Sequence, residues 1–344
     1  MAGRKENVKM TGMERFSRQI ILPQIGEEGQ RRLWEKRVLV AGCGALGTHT
    51  AEALLRAGVK NLALVDRDVV EIHNLHRVAL FLPEDLGRPK AEAAAEKLRK
   101  IEPEAEITAI AGHLGPKLVE ELVPKVDLVV DGLDNLESRY LLNDACVKHG
   151  KPWIYTAVLA TYGMSMPILP GKGPCLRCLF PNPPAPGTIP TCAESGILGP
   201  VPKALAAIQA ATALALLLES PAVKPGELLY LDLWTRRTQT VQVKRAENCP
   251  TCVGRDFSFL REASSTTALC GEAIQVLPRK SGSLDLSALA QRLSRLGKAE
   301  LRGNVLFAEI EGASFIVFPD GRALIKGVAD EGRAQALYDQ FIAR

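Results

Sequence analysis

A glycine-rich turn near residue 42 has the residue types and the spacing for binding a phosphate. The apolar run of residues 38–41 leads directly into GCGALG at 42–47, and a helical pattern follows. A second apolar run, 62–65, ends at Asp66. Glycines let the backbone approach a ligand, the N–H groups that open the helix face an anion, and the acidic residue accepts hydrogen bonds from ribose hydroxyls. The pattern predicts a nucleotide site formed by Gly42, Gly44, Ala45, Leu46, Gly47 and Asp66.

Polar and basic side chains follow this unit. The segment after Asp66 adds Asp68, Asn74 and Arg77, and Lys90 follows a little later. The glycine turn alone favours an NAD-dependent oxidoreductase, whose ribose pocket needs few cations. Fixed cations near a phosphate chain favour phosphoryl or nucleotidyl transfer instead. Both enzyme classes stay open at this point, and the cations favour nucleotidyl transfer.

A third apolar run, 126–130, ends in DGLDN, and a helical pattern begins directly after Asp134. Because the carboxyl ends of parallel strands meet at one edge of a sheet, we expect Asp66, Asp131 and Asp134 to lie near one another. A hard divalent cation carried on a triphosphate takes one or two carboxylate ligands. Asp134 is therefore predicted to contact Mg²⁺, with capping of the helix as the alternative.

Four of the eight cysteines form two C-x2-C pairs, Cys175 with Cys178 and Cys249 with Cys252. Two such pairs supply four thiolates in the spacing of a tetrahedral zinc site. Because four protein ligands leave no open position, we expect zinc to stabilise the fold rather than to take part in catalysis. A non-catalytic scaffold stabilised by zinc is a third interpretation of the chain.

Residues 181–190, PNPPAPGTIP, contain too many prolines for regular structure and lead towards Cys192. Such a loop can cross a crevice as a lid, which makes Cys192 a candidate reactive thiol. An unpaired cysteine is more often a small buried side chain. Both interpretations stay open.

The chain has 344 residues and a formal net charge of +4 with mixed signs throughout, which does not indicate a nucleic-acid partner. The N-terminal segment lacks an apolar core of signal-peptide length, so we expect a cytoplasmic protein. Residues 201–218 are apolar, but Lys203 and Gln209 interrupt them. We expect a helix in the protein core there, and no membrane span.

Strand and helix patterns alternate with short links up to about residue 150, which predicts a doubly wound, mostly parallel, Rossmann-like α/β sheet. Residues 1–254 are predicted to form one domain that carries the zinc site, and 255–272 a linker. Strand, helix and hairpin patterns in 273–344 predict a small α+β domain. Since its sequence shows no catalytic constellation, we interpret it as an interaction module of unassigned role.

Taken in order, these motifs resemble the MoeB/ThiF/HesA family, relatives of ubiquitin-activating enzymes that adenylate a small ubiquitin-like sulfur-carrier protein. The resemblance covers roughly residues 13–253, and it is specific because the motifs occur together. The motifs are Arg15-Phe16-Ser17-Arg18-Gln19, the glycine turn, Asp66-x-Asp68, Asn74-Leu75-x-Arg77, Gly87-x-Pro89-Lys90, Asp134-Asn135-x3-Arg139 and both cysteine pairs.

The resemblance implies an adenylyltransferase that joins AMP from ATP to the C-terminal Gly-Gly carboxylate of a MoaD- or ThiS-like carrier, for molybdopterin, thiamine or related biosynthesis. It also implies a homodimer in which Arg18 reaches the ATP site of the partner subunit. The implied site residues are Asp66 for the ribose, Asn74, Arg77 and Lys90 for the phosphates, Asp134 for magnesium, and Asp68 and Asn135 as further nucleotide contacts.

Cys192 lies where some relatives carry a cysteine that forms a thioester or persulfide with the activated carrier. Ala45 and His73 differ from the Gly and Ser that are frequent there, and neither change removes a charge that the mechanism needs. The C-terminal domain lacks a rhodanese-type loop, which argues against sulfur delivery from within this chain.

Overall fold

The computed structural model describes residues 12–184, 192–261, 266–268, 273–278 and 282–343, with the backbone alone at 192–193 and 266–268. Its strands are β1 (Arg37–Ala41), β2 (Asn61–Asp66), β3 (Glu106–Ala111), β4 (Leu128–Asp131), β5 (Trp153–Leu159), β6 (Tyr162–Ile168), β7 (Glu227–Asp232), β8 (Arg237–Gln242), β9 (Thr266–Ala268), β10 (Ala273–Val276), β11 (Lys298–Arg302), β12 (Val305–Ile310), β13 (Ala313–Val317) and β14 (Ala323–Lys326).

Its helices are α1 (Gly26–Glu35), α2 (Ala45–Arg56), α3 (Lys90–Ile101), α4 (Pro116–Leu122), α5 (Leu136–His149), α6 (Leu176–Leu179), α7 (Cys192–Ser195), α8 (Pro200–Leu217), α9 (Leu286–Leu293) and α10 (Glu331–Phe341). Short 3-10 helices cover Glu14–Phe16, Ile72–Asn74, Pro83–Asp85, Val123–Lys125 and Ser258–Leu260.

The larger sheet has the order β3-β2-β1-β4-β5-β6-β7-β8. Strands β1 to β5 pair in parallel, and β6 to β8 extend the sheet in antiparallel fashion. The strand order reverses between β1 and β4, so the carboxyl ends of these two strands lie side by side. This is the position at which doubly wound sheets bind ligands.

Alternate residues of β1 pack into different halves of the core, as the two-residue repeat of a strand requires. Val38 and Val40 join a cluster with residues of α2, α3 and α8, whereas Leu39 and Ala41 join one with α4 and α5. Helices therefore cover both faces of the sheet, and the predicted doubly wound fold is confirmed.

Helix α8 corresponds to the predicted core helix at 201–218. Its Gln209 is fully buried and bonds the hydroxyls of Thr50 at 2.6 Å and Thr156 at 2.8 Å. A buried polar side chain with these partners fixes the helix against α2 and β5. Helix α8 is long and apolar enough to cross a membrane, but the core helix of a soluble protein can have the same length and composition.

The smaller sheet has the order β11-β12-β13-β14-β10-β9, and all its pairs are antiparallel. Helices α9 and α10 pack on one face around Phe315 and Leu337. The predicted small α+β domain is thus present. The predicted helix at 286–296 ends earlier, at Leu293, and Leu296 is exposed.

Part of the predicted linker packs on the larger domain. Phe259 stacks on Tyr140 with ring centroids 4.9 Å apart, and its backbone N–H donates to Asp144 at 3.1 Å. Strand β9 pairs with β10 of the smaller sheet. Residues 262–265 and 269–272 lie outside the described residues, and the division of the chain at 255–272 stays a prediction.

Candidate active site

The glycine turn brings the ends of β1 and β4 into direct contact. Gly42 has a positive φ of 95°, and a Cβ on it would lie 2.4 Å from the carbonyl oxygen of Gly132. A Cβ on Gly47 would lie 1.8 Å from the carbonyl oxygen of Gly42. A Cβ on Gly44 would meet nothing within 4 Å. Gly42 and Gly47 therefore allow close packing, while Gly44 leaves space beside the first turn of α2 for a ligand.

A cavity of about 650 Å³ opens in front of this turn. It brings together eleven of the predicted site residues: Gly42, Gly44, Ala45, Leu46, Asp66, Asp68, Asn74, Arg77, Lys90, Asp134 and Asn135. Gly47 lies behind the turn and is buried. The single chain therefore assembles the predicted nucleotide residues into one space, at the sheet edge where the strand order reverses.

Lys90 and two aspartates form the charged floor of the cavity. Lys90 Nζ lies 3.0 Å from Asp68 Oδ2. Asp66 accepts hydrogen bonds from the backbone N–H groups of Cys43 at 2.6 Å and Asp68 at 2.8 Å. Burial opposes the charge on Lys90, but Asp68 and Asp66 outweigh it and raise its pKa. Lys90 is therefore a permanent cation that faces any ligand in the cavity.

Asn74 and Arg77 come from the turn that follows β2. Asn74 is buried, and its Oδ1 accepts from the backbone N–H of Glu71 at 2.9 Å. The Arg77 guanidinium donates to the carbonyl of His73 at 2.5 Å. These bonds fold the 71–77 segment into a compact turn, and Asn74, Arg77 and Lys90 line the same cavity.

Asp134 also lines the cavity, and it does not cap the helix that follows. The cap of α5 is Asn135, whose Oδ1 accepts from the backbone N–H of Ser138 at 2.8 Å. Asn135 Nδ2 donates to Asp134 Oδ1 at 3.1 Å, and the Asp134 side chain is about half exposed. Its oxygens are the hard donors that Mg²⁺ prefers.

A buried ion pair supports this side of the cavity. Arg139 Nε donates to Asp131 Oδ2 at 2.8 Å, and its Nη2 donates to the carbonyls of Leu133 and Thr156. Burial raises the pKa of Asp131, and the charge of Arg139 opposes that shift. Since Asp131 ends β4, the pair holds the 132–135 turn in place.

Several cavity residues were not anticipated from the sequence. Arg67 is buried between Asp66 and Asp68, its Nη2 lies 3.8 Å from Asp134 Oδ1, and its Nη1 is without a hydrogen-bond partner among the described residues. His113 also lines the cavity, as do Lys326 and Leu324 of the C-terminal domain. The pattern D-R-D at residues 66–68 is a local signal for Arg67 alone. His113, Leu324 and Lys326 reach the cavity only through tertiary folding.

Arg18 lies apart from the cavity lining, and the position of the Cys192 side chain is not described. Arg18 is exposed on the N-terminal segment, next to the exposed apolar side chains of Ile21 (69% exposed) and Leu22 (48% exposed). Cys192 begins α7, and its side chain lies outside the described residues. Gly196 and Ile197, just beyond α7, do line the cavity.

The two cysteine pairs meet in one cluster on the far side of α5. All four sulfurs lie within 4.8 Å of one another, with 3.6 Å between Cys175 and Cys249 and 3.5 Å between Cys178 and Cys252. Four sulfurs about 2.3 Å from a tetrahedral zinc are roughly 3.8 Å apart, whereas a disulfide requires about 2.05 Å. The arrangement fits a metal and not a disulfide.

Comparison with known proteins gives consistent results. The ThiF family model matches residues 16–251. The sulfur carrier protein ThiS adenylyltransferase of Bacillus subtilis is 37% identical over 342 residues, covering 97% of this chain and 100% of that protein. The sulfur carrier protein adenylyltransferase of Thermus thermophilus is 40% identical over 264 residues, covering 75% of this chain and 97% of that protein.

Two further matches extend this picture. The SAMP-activating enzyme E1 of Haloferax volcanii is 40% identical over 242 residues, covering 70% of this chain and 89% of that protein. The crystal structure of E. coli MccB with ATP has a TM-score of 0.61 at 22% identity, covering 70% of this chain and 74% of that chain. The MccB similarity concerns the fold. The Bacillus alignment includes the C-terminal domain, whereas the Thermus protein matches three quarters of this chain.

Proposed function

Because the chain belongs to the ThiF family, we propose that it is an ATP-dependent adenylyltransferase acting on the C-terminal glycine carboxylate of a ubiquitin-like sulfur-carrier protein. The observation that carries the proposal is the single cavity in which Lys90, Arg77 and Asp134 face the first turn of α2. Relatives named as adenylyltransferases favour this function over an NAD-dependent oxidoreductase and over a zinc scaffold.

The carrier carboxylate, with an ordinary pKa near 3.5, is ionised at neutral pH, so its attack on the α-phosphate of ATP requires no general base. The oxygen forms a bond to the α-phosphorus while the bond to the bridging oxygen of pyrophosphate breaks. The obstacle is the approach of two anions. Lys90 and Arg77 offset that repulsion and stabilise the charge that develops on pyrophosphate. The products are an acyl-adenylate and pyrophosphate.

Further groups orient the nucleotide. Asp66 accepts from the ribose hydroxyls, and Asn74 together with the N–H groups that open α2 bind phosphate oxygens. Mg²⁺ held by Asp134 would neutralise charge on the phosphates when bound. Asp68 fixes Lys90, and Asn135 fixes Asp134. Each charged group thus has a neighbour that orients it before ATP arrives.

We place the function in a homodimer, in which Arg18 enters the cavity of the partner subunit. The exposed position of Arg18 beside Ile21 and Leu22 supports such an interface. Mixing Arg18→Ala and Lys90→Ala proteins tests it, because a hybrid dimer has one intact site. Activity should return to roughly a quarter of the wild-type value after subunit exchange. No recovery, with mixed dimers verified by mass spectrometry, would mean that Arg18 does not act on the partner's cavity.

Zinc bound by the four cysteines is the structural part of the proposal. The cluster packs in the same part of the core as α5, the helix that Asn135 caps. A tetrahedral site with four protein ligands has no position for a substrate. We propose that this zinc holds α6 and the 249–252 turn against the rest of the larger domain.

The function is tested by ATP–pyrophosphate exchange in the presence of Mg²⁺ and the ThiS-like or MoaD-like proteins of the same genome. We expect exchange that depends on the carrier and disappears when its C-terminal Gly-Gly is removed. Exchange that needs no carrier, or none with any such carrier, would contradict the proposal. Titration with NAD in parallel should give no binding, and NAD binding in place of ATP would favour the oxidoreductase.

A further inference from the structure

The C-terminal domain forms one wall of the nucleotide cavity. Ala273 on β10, and Leu324 and Lys326 on β14, line the same space as the glycine turn and Lys90. No sequence motif predicts this arrangement, because the domain begins far beyond the last motif of the cavity. The domain is therefore placed to act on the ligand itself.

An apolar contact holds this wall in place. Val69, just beyond β2, is buried in a cluster whose other buried members all belong to the C-terminal domain: Val305, Ile316, Phe318 and Leu324. A Cβ on Gly87 would lie 3.2 Å from the ring of Phe307, so the 87–89 segment also touches this sheet. Both segments flank residues that bind the nucleotide in our proposal.

A buried arginine adds polar contacts at the same interface. Arg322 is fully buried, its Nη1 donates to the carbonyl of Arg67, and its Nη2 donates to the carbonyl of Ala111 at 3.3 Å. Its guanidinium also stacks 3.6 Å from the ring centroid of Phe318. The two carbonyls lie at the carboxyl ends of β2 and β3. Arg322 thus fixes β14 at the edge where the ligand binds.

Lys326 follows on β14 and directs its ammonium group to the cavity. It forms an ion pair with Oε1 of Glu71, whose Oε2 lies 3.3 Å from Nδ1 of His73. Both Lys326 and Glu71 are about 30% exposed, on the cavity side. A lysine ammonium has three N–H donors and Glu71 accepts one of them, so the group can also donate to a ligand. The neighbouring 74–77 turn carries Asn74 and Arg77.

We propose that Lys326 contacts the polyphosphate of bound ATP, so that the C-terminal domain completes the nucleotide site instead of serving as a separate interaction module. This inference rests on the proposed function, since it assumes that ATP occupies the cavity. The Thermus relative is matched over 97% of its own length by three quarters of this chain, and the proposed contact adds to a site whose main cations in our proposal are Lys90 and Arg77. Its effect is on affinity for ATP.

Lys326→Met removes the charge and keeps the length of the side chain. Loss of a charge-assisted hydrogen bond should raise the Kd for Mg-ATP, measured by calorimetry on the full chain, roughly tenfold. The KM for ATP in pyrophosphate exchange should rise by the same factor, and the KM for the carrier should not change. Lys326→Arg should restore most of the affinity.

The matched control is Lys298→Met on β11, an edge strand of the same sheet, where Lys298 is exposed and pairs with Glu309 at 3.5 Å. Lys298→Met should leave the Kd for Mg-ATP and the KM for ATP within twofold of the wild-type values. If Lys326→Met also stays within twofold while the protein remains folded, or lowers only the melting temperature, the inference is wrong. If the wild type itself shows no carrier-dependent exchange, it is the proposed function that fails.

Discussion

The nucleotide cavity and the cysteine cluster are both built from segments far apart in the chain. They differ in whether their charged and metal-binding side chains are open to a substrate. In the cavity, Lys90 and Asp134 are held by neighbours and still face open space. In the cluster, the four sulfurs converge within 4.8 Å of one another, and a tetrahedral metal bound by all four would have no position left for a substrate. This difference agrees with our proposal that the cavity residues bind a substrate and that the cysteines stabilise the fold.

The largest expected effect tests the cavity half of this contrast. Lys90→Ala should lower kcat/KM for pyrophosphate exchange roughly 100-fold or more, because a fixed cation beside the phosphates is lost. The matched control is Lys100→Ala, on the same helix, where Lys100 is exposed and pairs with Glu96 at 2.7 Å. It should keep nearly full activity. Near wild-type exchange by Lys90→Ala would remove Lys90 from the catalytic set.

The substitution Cys249→Ser tests the role of the cysteine cluster. We expect loss of bound zinc, measured by atomic emission, and a fall in the free energy of unfolding of roughly 2 kcal/mol or more. Exchange activity of the protein that remains folded should be close to normal. The buried Cys146, outside the cluster, provides the control, and Cys146→Ala should keep its zinc. Full zinc occupancy in Cys249→Ser would contradict the assignment.

A smaller effect concerns pH at the junction of the cavity with the C-terminal domain. Burial, Arg67 and Arg322 lower the pKa of His113 to about 4, and Gln275 donates to its Nδ1 at 3.1 Å. The unfolded chain takes up this proton near the ordinary value of 6.5 and the folded chain only near 4. Stability from His113 is therefore present above pH 6.5 and is lost as the pH falls towards 4.

The substitution His113→Gln should make the free energy of unfolding less dependent on pH. In urea titrations between pH 6.5 and about 4, the free energy of unfolding of the wild type should fall by up to about 1.4 kcal/mol per pH unit more than that of the variant. Parallel curves for the two proteins would show that His113 titrates alike in the folded and unfolded chains.

The smallest expected effect is at Cys192. In the proposed mechanism the carboxylate attacks phosphorus directly, so Cys192→Ala should leave carrier-dependent exchange within twofold of the wild type, even if later sulfur transfer fails. A large loss of exchange would place this thiol in the adenylation step.

The features that sequence predicts well are those set by local patterns. Close packing at Gly42 and Gly47, the aspartates at strand ends and the two cysteine pairs each follow from neighbours in the chain. Strands β7, β8 and β11 were not predicted. All residues of β8 and most of β11 are exposed, so neither strand shows the apolar alternation by which strands are recognised.

The wall formed by the C-terminal domain was not predictable for a different reason. Arg322 and Lys326 meet the 67–71 segment through contacts 255 residues apart in sequence. An arginine or lysine in a strand is usually solvent-exposed, and only the packing of two domains shows that Arg322 is buried. Local patterns therefore identified the cations that the proposed mechanism needs, Lys90 and Arg77, and missed Lys326.

The central claim is that the carrier carboxylate attacks the α-phosphorus of ATP. Incubation of enzyme and carrier with ATP labelled at the α-phosphate, and separately at the γ-phosphate, tests it most directly. We predict acid-stable capture of the α label on the carrier, release of the γ label as pyrophosphate, and neither product with Lys90→Ala. Transfer of the γ label to the carrier would mean phosphorylation instead of adenylation and would contradict the account.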